Sequence, residues 1–133
     1  MKFMIETDQV KADFKYSEIS ISPNEVSGYR PFELFVSSLA GCSGTLLRTI
    51  LSKKRISYQK LEMEVDSVRN PDEANRIEKL SFLAHVETES PFTPEQAAKI
   101  AELVIKNCGM IQSVIETINI KFEIQASSIK GTL

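Results

Sequence analysis

A single α+β domain over residues 1–133, built on a largely antiparallel sheet, is the fold class that the sequence predicts. Three observations carry it. Strand-like runs of period two arrive in consecutive groups. One long apolar stretch has helical character. Two shorter helical stretches then precede a last strand.

The first 22 residues read as strands. Phe3 and Ile5 share a face opposite Lys2 and Glu6, with Thr7-Asp8 as a turn. Val10, Ala12, Phe14 and Tyr16 then alternate with Lys11, Asp13 and Lys15, and Ile19 and Ile21 continue the period. Ser22-Pro23-Asn24 and Gly28 mark a loop. Pro31 suits the first turn of a helix, where its missing N–H does no harm. Glu33 near that start and Lys53-Lys54-Arg55 near the end both complement the helix dipole. The basic run reads as a polar helix end rather than a nucleic-acid patch. No charge interrupts residues 34–47, and Leu34, Phe35, Val36, Leu39, Leu46, Leu47, Ile50 and Leu51 cover most of the circumference. Such a helix is expected to be buried on nearly all sides, which one small domain hardly provides, so a partner chain is implied.

Leu61, Met63 and Val65 alternate with Lys60, Glu62, Glu64 and Asp66 over residues 58–67. Asn70-Pro71-Asp72 makes a turn, and residues 77–88 form the next strand, with Leu80, Phe82, Ala84 and Val86 on one face. His85 lies on the other face as a solvated residue. Thr93-Pro94-Glu95-Gln96 is a helix start with Thr as N-cap, Pro at N1 and Gln at N3, and Asn107 ends that helix. A short helix from about Gly109 to Glu116 follows, then a strand over Ile118, Ile120, Phe122 and Ile124. The tail from Ala126 is expected to fray.

Composition narrows the function. The chain has 16 Lys+Arg, 18 Asp+Glu, one His and two Cys, with a net charge of -2. That balance disfavours a nucleic-acid scaffold. One His and two Cys exclude a His-rich or all-cysteine metal site within one chain. No cofactor is expected. No apolar run reaches the ~18 residues needed to span a bilayer, and the start meets a charge too early for a secretory segment. The chain therefore reads as cytoplasmic, without a membrane partner. A structural disulfide is not the default in that compartment.

Cys42 and Cys108 are then either two buried thiols or a redox couple. Cys42 sits within Ser37-Ser38-Leu39-Ala40-Gly41-Cys42-Ser43-Gly44-Thr45. Each interior helix glycine costs ~1 kcal/mol relative to Ala. Gly41 and Gly44 therefore imply close approach of another helix or of a ligand. Cys108 lies at a helix junction, whose amide N–H groups are expected to favour its own thiolate.

The stretch Gly28-Tyr29-Arg30-Pro31-Phe32-Glu33-Leu34-Phe35-Val36-Ser37-Ser38-Leu39-Ala40-Gly41-Cys42 resembles the signature of the OsmC/Ohr family, the osmotically inducible and organic-hydroperoxide-resistance proteins. The resemblance implies an OsmC-like fold with a long buried central helix in an intertwined homodimer. It also implies a thiol-dependent reductase of small apolar organic hydroperoxides, regenerated by a dithiol reductant. By the same carry-over Cys42 is peroxidatic and Cys108 resolving, with Arg30 and Glu33 as the candidates to position and activate the thiolate. The alternative is a non-catalytic thiol-containing protein that binds a hydrophobic ligand in an apolar cleft at the dimer interface.

Three positions depart from the family's peroxidase pattern. Phe32 follows Pro31 where the catalytic Glu stands, and Glu33 is nine residues before Cys42, ~180° around a regular helix. No Arg precedes Arg30, and Gly109 follows Cys108 where Pro is usual.

Overall fold

The computed structural model describes residues 1–129. Its elements run β1 (Lys2–Ile5), β2 (Val10–Asp13), β3 (Glu18–Ile21), α1 (Pro31–Lys53), β4 (Lys60–Asn70), β5 (Arg76–Thr88), α2 (Pro94–Asn107), α3 (Gly109–Val114) and β6 (Asn119–Ser128). Two compact units divide the chain, one over Met1–Ser38 and one from Leu39 onward.

The first unit is a three-stranded sheet in the order β1-β2-β3, antiparallel throughout. Phe3 pairs with Ala12 and Ala12 with Ile19, which puts the fully buried Ala12 at the centre of the sheet. Phe3 also meets Phe14 edge-on, with centroids 6.2 Å apart. The alternation expected to continue through Tyr16 stops at Asp13, and Tyr16 is fully exposed. Gly28 has a specific reason. A parallel bridge joins Ile21 and Tyr29, with the Tyr29 N–H donating to the Ser20 carbonyl at 2.8 Å. A Cβ on Gly28 would lie 2.6 Å from that same carbonyl oxygen, so only glycine allows the approach.

In the second unit the sheet order is β4-β5-β6. β4 and β5 form a long antiparallel hairpin. Its loop is closed by the Asp72 N–H donating to Asn70 Oδ1 at 3.0 Å, and by Ala74 and Asn75 in the left-handed region. β6 is parallel to β5, so one of the two pairings in this sheet departs from the antiparallel expectation. A parallel pair needs a long connection, and α2 with α3 provides it. The core is made from the inward residues Leu80, Phe82, Ala84 and Val86 of β5, Phe122 and Ile124 of β6, and Ile100 and Val104 of α2. Phe82 stacks on Phe122 with centroids 5.8 Å apart. The frayed tail expected from Ala126 is instead strand, because Ala126–Ser128 pairs with Val86–Thr88. Residues 130–133 lie outside the described residues.

Helix α1 corrects one expectation. Within this chain its fully buried residues are Leu39, Ser43, Leu47 and Leu51, one stripe at a spacing of four. By length and composition it is also apolar enough to cross a membrane, because its small Ser, Gly and Thr residues dilute apolarity without adding charge. The core helix of a soluble protein passes the same test.

Candidate functional site

Cys108 is the hinge between two helices. Its N–H donates to the Val104 carbonyl at 2.9 Å and closes α2. Its carbonyl accepts from the Gln112 N–H at 2.9 Å and opens α3. With φ -82° and ψ 109° it is extended, so the chain changes direction there without strain. The first amides of a helix have no partner within it, and here those of α3 meet sulfur. The Met110 N–H and the Gly109 N–H both act on the Cys42 sulfur. Cys42 itself is carried to this point by α1, half-buried.

Both thiols are free, and each acts on the ionisation of the other. Their acidities are driven apart. The Met110 amide, then the Cys108 thiol, hold Cys42 below the ordinary thiol value, against partial burial. Burial pushes Cys108 up, and the negative charge favoured on Cys42 pushes it further. This reverses the expectation that the junction amides favour the Cys108 thiolate. Cys108 is fully buried, and desolvation outweighs the Ile111 and Met110 amides that act on it. Backbone amides have no side-chain signature, so Met110 is the functional position that motif reading missed. The only sequence cue to it was the helix junction after Cys108.

Arg30 and Glu33 are brought together as a second pair, in the unit that ends at Ser38. The Arg30 Nε donates to Glu33 Oε1 at 2.9 Å, and the Arg30 backbone N–H reaches the same oxygen at 3.4 Å. The Leu34 N–H donates to the Arg30 carbonyl at 3.2 Å. Glu33 thus folds back on the residue that starts the helix, as the acidic member of a capping box does. The pairing lowers the Glu33 pKa and raises that of Arg30, and both side chains are about half exposed.

The remaining candidates are peripheral. His85 Nε2 stands 3.8 Å from Glu64 Oε2 on the open face of the β4–β5 hairpin. Among the described residues no group of three or more His, Cys, Asp or Glu is placed to hold a metal.

Chemically, the cysteine site pairs a thiol held below the ordinary value with a neighbouring thiol pushed above it. That arrangement favours attack by the first sulfur and condensation by the second.

Comparison with known proteins bears on the fold and the family. The fold matches a hypothetical protein from Aquifex aeolicus with a TM-score of 0.82 at 17% identity, covering 97% of this chain and 96% of that one. It matches an organic hydroperoxide resistance protein OsmC from Legionella pneumophila with a TM-score of 0.69 at 14% identity, covering 93% of each chain. It matches the organic hydroperoxide resistance protein OhrB of Bacillus subtilis with a TM-score of 0.63 at 14% identity, covering 95% of this chain and 96% of that one. No curated protein matches the sequence. Residues 22–124 match the OsmC-like protein family, a span that includes the Gly28–Cys42 stretch and both cysteines, and the chain belongs to that family.

Proposed function

We propose that the protein is a thiol-dependent reductase of organic hydroperoxides that works as a homodimer in the cytoplasm. The observation that carries the reading is the pair of free thiols at the start of α3, with Cys42 held below the ordinary thiol value and Cys108 pushed above it. In this reading the Cys42 thiolate attacks the terminal oxygen of the hydroperoxide. The O–O bond breaks, the alkoxide takes a proton and leaves as alcohol, and Cys42 becomes a sulfenic acid. The Cys108 sulfur then attacks Cys42, loses its proton, and releases water as the disulfide forms. A dithiol reductant supplies the two electrons that restore both thiols. Arg30 and Glu33 are paired with each other in the unit that ends at Ser38.

The homodimer rests on α1. Nothing lies within 4 Å of a Cβ built on Gly41, and only Met63 Cε, at 3.8 Å, meets one built on Gly44. This chain's own packing therefore gives no reason for two helix-interior glycines. A second copy of the helix packed on the Gly41–Gly44 face does.

One experiment tests the activity. The purified protein is treated with cumene hydroperoxide or hydrogen peroxide, and free thiols are counted. Loss of both thiols to a Cys42–Cys108 disulfide, faster with the organic peroxide, is the expected result. Thiols that survive excess peroxide would remove the enzyme reading. That outcome would favour the non-catalytic binding protein, a reading supported by the neutrality of the donors acting on Cys42, which are two amides and a thiol.

A further inference from the structure

Helix α3 has six residues, so its own length does little to fix its direction. Its one fully buried residue, Ile111, anchors it at a single point. Cys108, the lone extended residue before it, is the hinge on which it would tilt.

Gln112 ties this short helix back to α2. Its side-chain Nε2 donates to the Ile105 carbonyl at 2.7 Å, and its backbone N–H donates to the Cys108 carbonyl at 2.9 Å. One residue thus holds the end of α2 and the hinge together. The last four carbonyls of a helix lack partners within it, and that of Ile105 is one of the four in α2. Two neighbours make side-chain bonds that stay inside their own helices. Asn107 Nδ2 donates to the Leu103 carbonyl at 2.9 Å, and Ser113 Oγ donates to the Gly109 carbonyl at 2.7 Å. Among the described residues, the Gln112 side chain alone makes a side-chain hydrogen bond from α3 to α2.

The direction of α3 matters because of what acts on Cys42. These groups are the Met110 and Gly109 amides and the Cys108 thiol, with no charged side chain among them. A charge attracts a thiolate from any side, whereas an N–H does so only when aimed at it. A tilt of α3 about Cys108 would turn Met110, the strongest of these donors, away from the sulfur.

We infer that Gln112 is a positioning residue of the cysteine site: by bracing α3 against the end of α2, it keeps the Met110 and Gly109 amides directed at Cys42. Its importance for turnover rests on the peroxide-reductase reading, but the brace itself does not.

The test compares Gln112→Met with Asn107→Ala in the full chain. Methionine is close to glutamine in length and helix propensity and removes the donor. Asn107→Ala removes a similar bond from the same helix end, one that does not reach α3. Both side chains are exposed, so both variants should fold. Cys42 is titrated by the pH dependence of alkylation, without peroxide, and the Met110 amide resonance is followed alongside. Gln112→Met should shift the Cys42 titration upward and move the Met110 resonance, while Asn107→Ala should shift neither. An unmoved Cys42 titration in Gln112→Met, or an equal shift in Asn107→Ala, would overturn the assignment. If Gln112→Met shifts the titration while the parent's thiols survive excess peroxide, the brace stands and the enzyme reading falls.

Discussion

Replacing Gly41 and Gly44 together by alanine gives a result whose sign depends on what covers α1. In the isolated chain the two new Cβ atoms meet open space and a single ordinary contact, Met63 Cε at 3.8 Å. Helix propensity alone then predicts a gain of ~1 kcal/mol per site, about 2 kcal/mol for the pair. If a second copy of the helix packs on this face, each Cβ intrudes on a close approach instead, at a cost of about 1–3 kcal/mol per site. The homodimer reading therefore predicts that the double variant weakens the dimer by at least about 2 kcal/mol, roughly thirtyfold in dissociation constant. The assay is sedimentation equilibrium over a dilution series, paired with urea denaturation at two protein concentrations. The midpoint should depend on concentration in the parent and less so in the variant. A variant more stable than the parent, with unchanged association, would refute the argument that these glycines record a partner helix.

Two further outcomes follow from the geometry. Alkylation as a function of pH should show Cys42 reacting with an apparent pKa below the ordinary thiol value of ~8.5, and Cys108 silent until unfolding. The linked stability has opposite signs at the two sites. The Cys42 contribution is fully present above ~8.5 and is lost as pH falls through its lowered value, while that of Cys108 is present below ~8.5 and is lost as pH rises through its raised value. In the other unit, Gly28→Ala should destabilise by about 1–3 kcal/mol in thermal or urea unfolding, since the Ser20 carbonyl 2.6 Å from the new Cβ is backbone and yields little.

What could be read from the sequence was local. The start of α2 was legible residue by residue, because a capping box is a pattern of three side chains at fixed offsets. Thr93 Oγ1 accepts from the Gln96 N–H at 3.2 Å, and Gln96 Oε1 accepts from the Thr93 N–H at 2.9 Å. The β4–β5 loop was legible for the same reason, in Asn70 and the residues that follow it. The parallel pairing of β5 with β6 was not, since the two strands alternate alike whichever way they run, and direction is set by where α2 and α3 leave the chain. Nor does apolarity of α1 say who buries it. Leu46 and Ile50 read as core residues, yet this chain leaves them half covered. At the site, the two cysteines and the Arg30–Glu33 pair were visible as residue types. The division of acidity between the thiols was not, because the deciding donors are the amides of Met110 and Gly109.

Gly109 offers a way to separate those amides from the fold around them. It is the first residue of α3, where proline is tolerated because the N–H has no helical partner to lose. The residue before it is already extended, at φ -82° and ψ 109°, as a pre-proline position requires. No heavy atom lies within 4 Å of a Cβ at this position. Gly109→Pro should accordingly fold, with the roughly 0.4–1 kcal/mol gained through the restricted unfolded chain offset by the lost donor to Cys42. It also deletes one of the two amide donors to Cys42 and leaves the stronger, Met110, in place. The Cys42 pKa should therefore rise, yet remain below that of a thiol without amide donors, and thiol reactivity at neutral pH should fall. Acidity thus moves while stability changes little, measured by the pH profile of alkylation and by thermal unfolding. A folded variant with an unmoved Cys42 titration would mean that Met110 and Cys108 alone set the acidity. A lowered Cys42 pKa would contradict the assignment of the α3 amides as its donors.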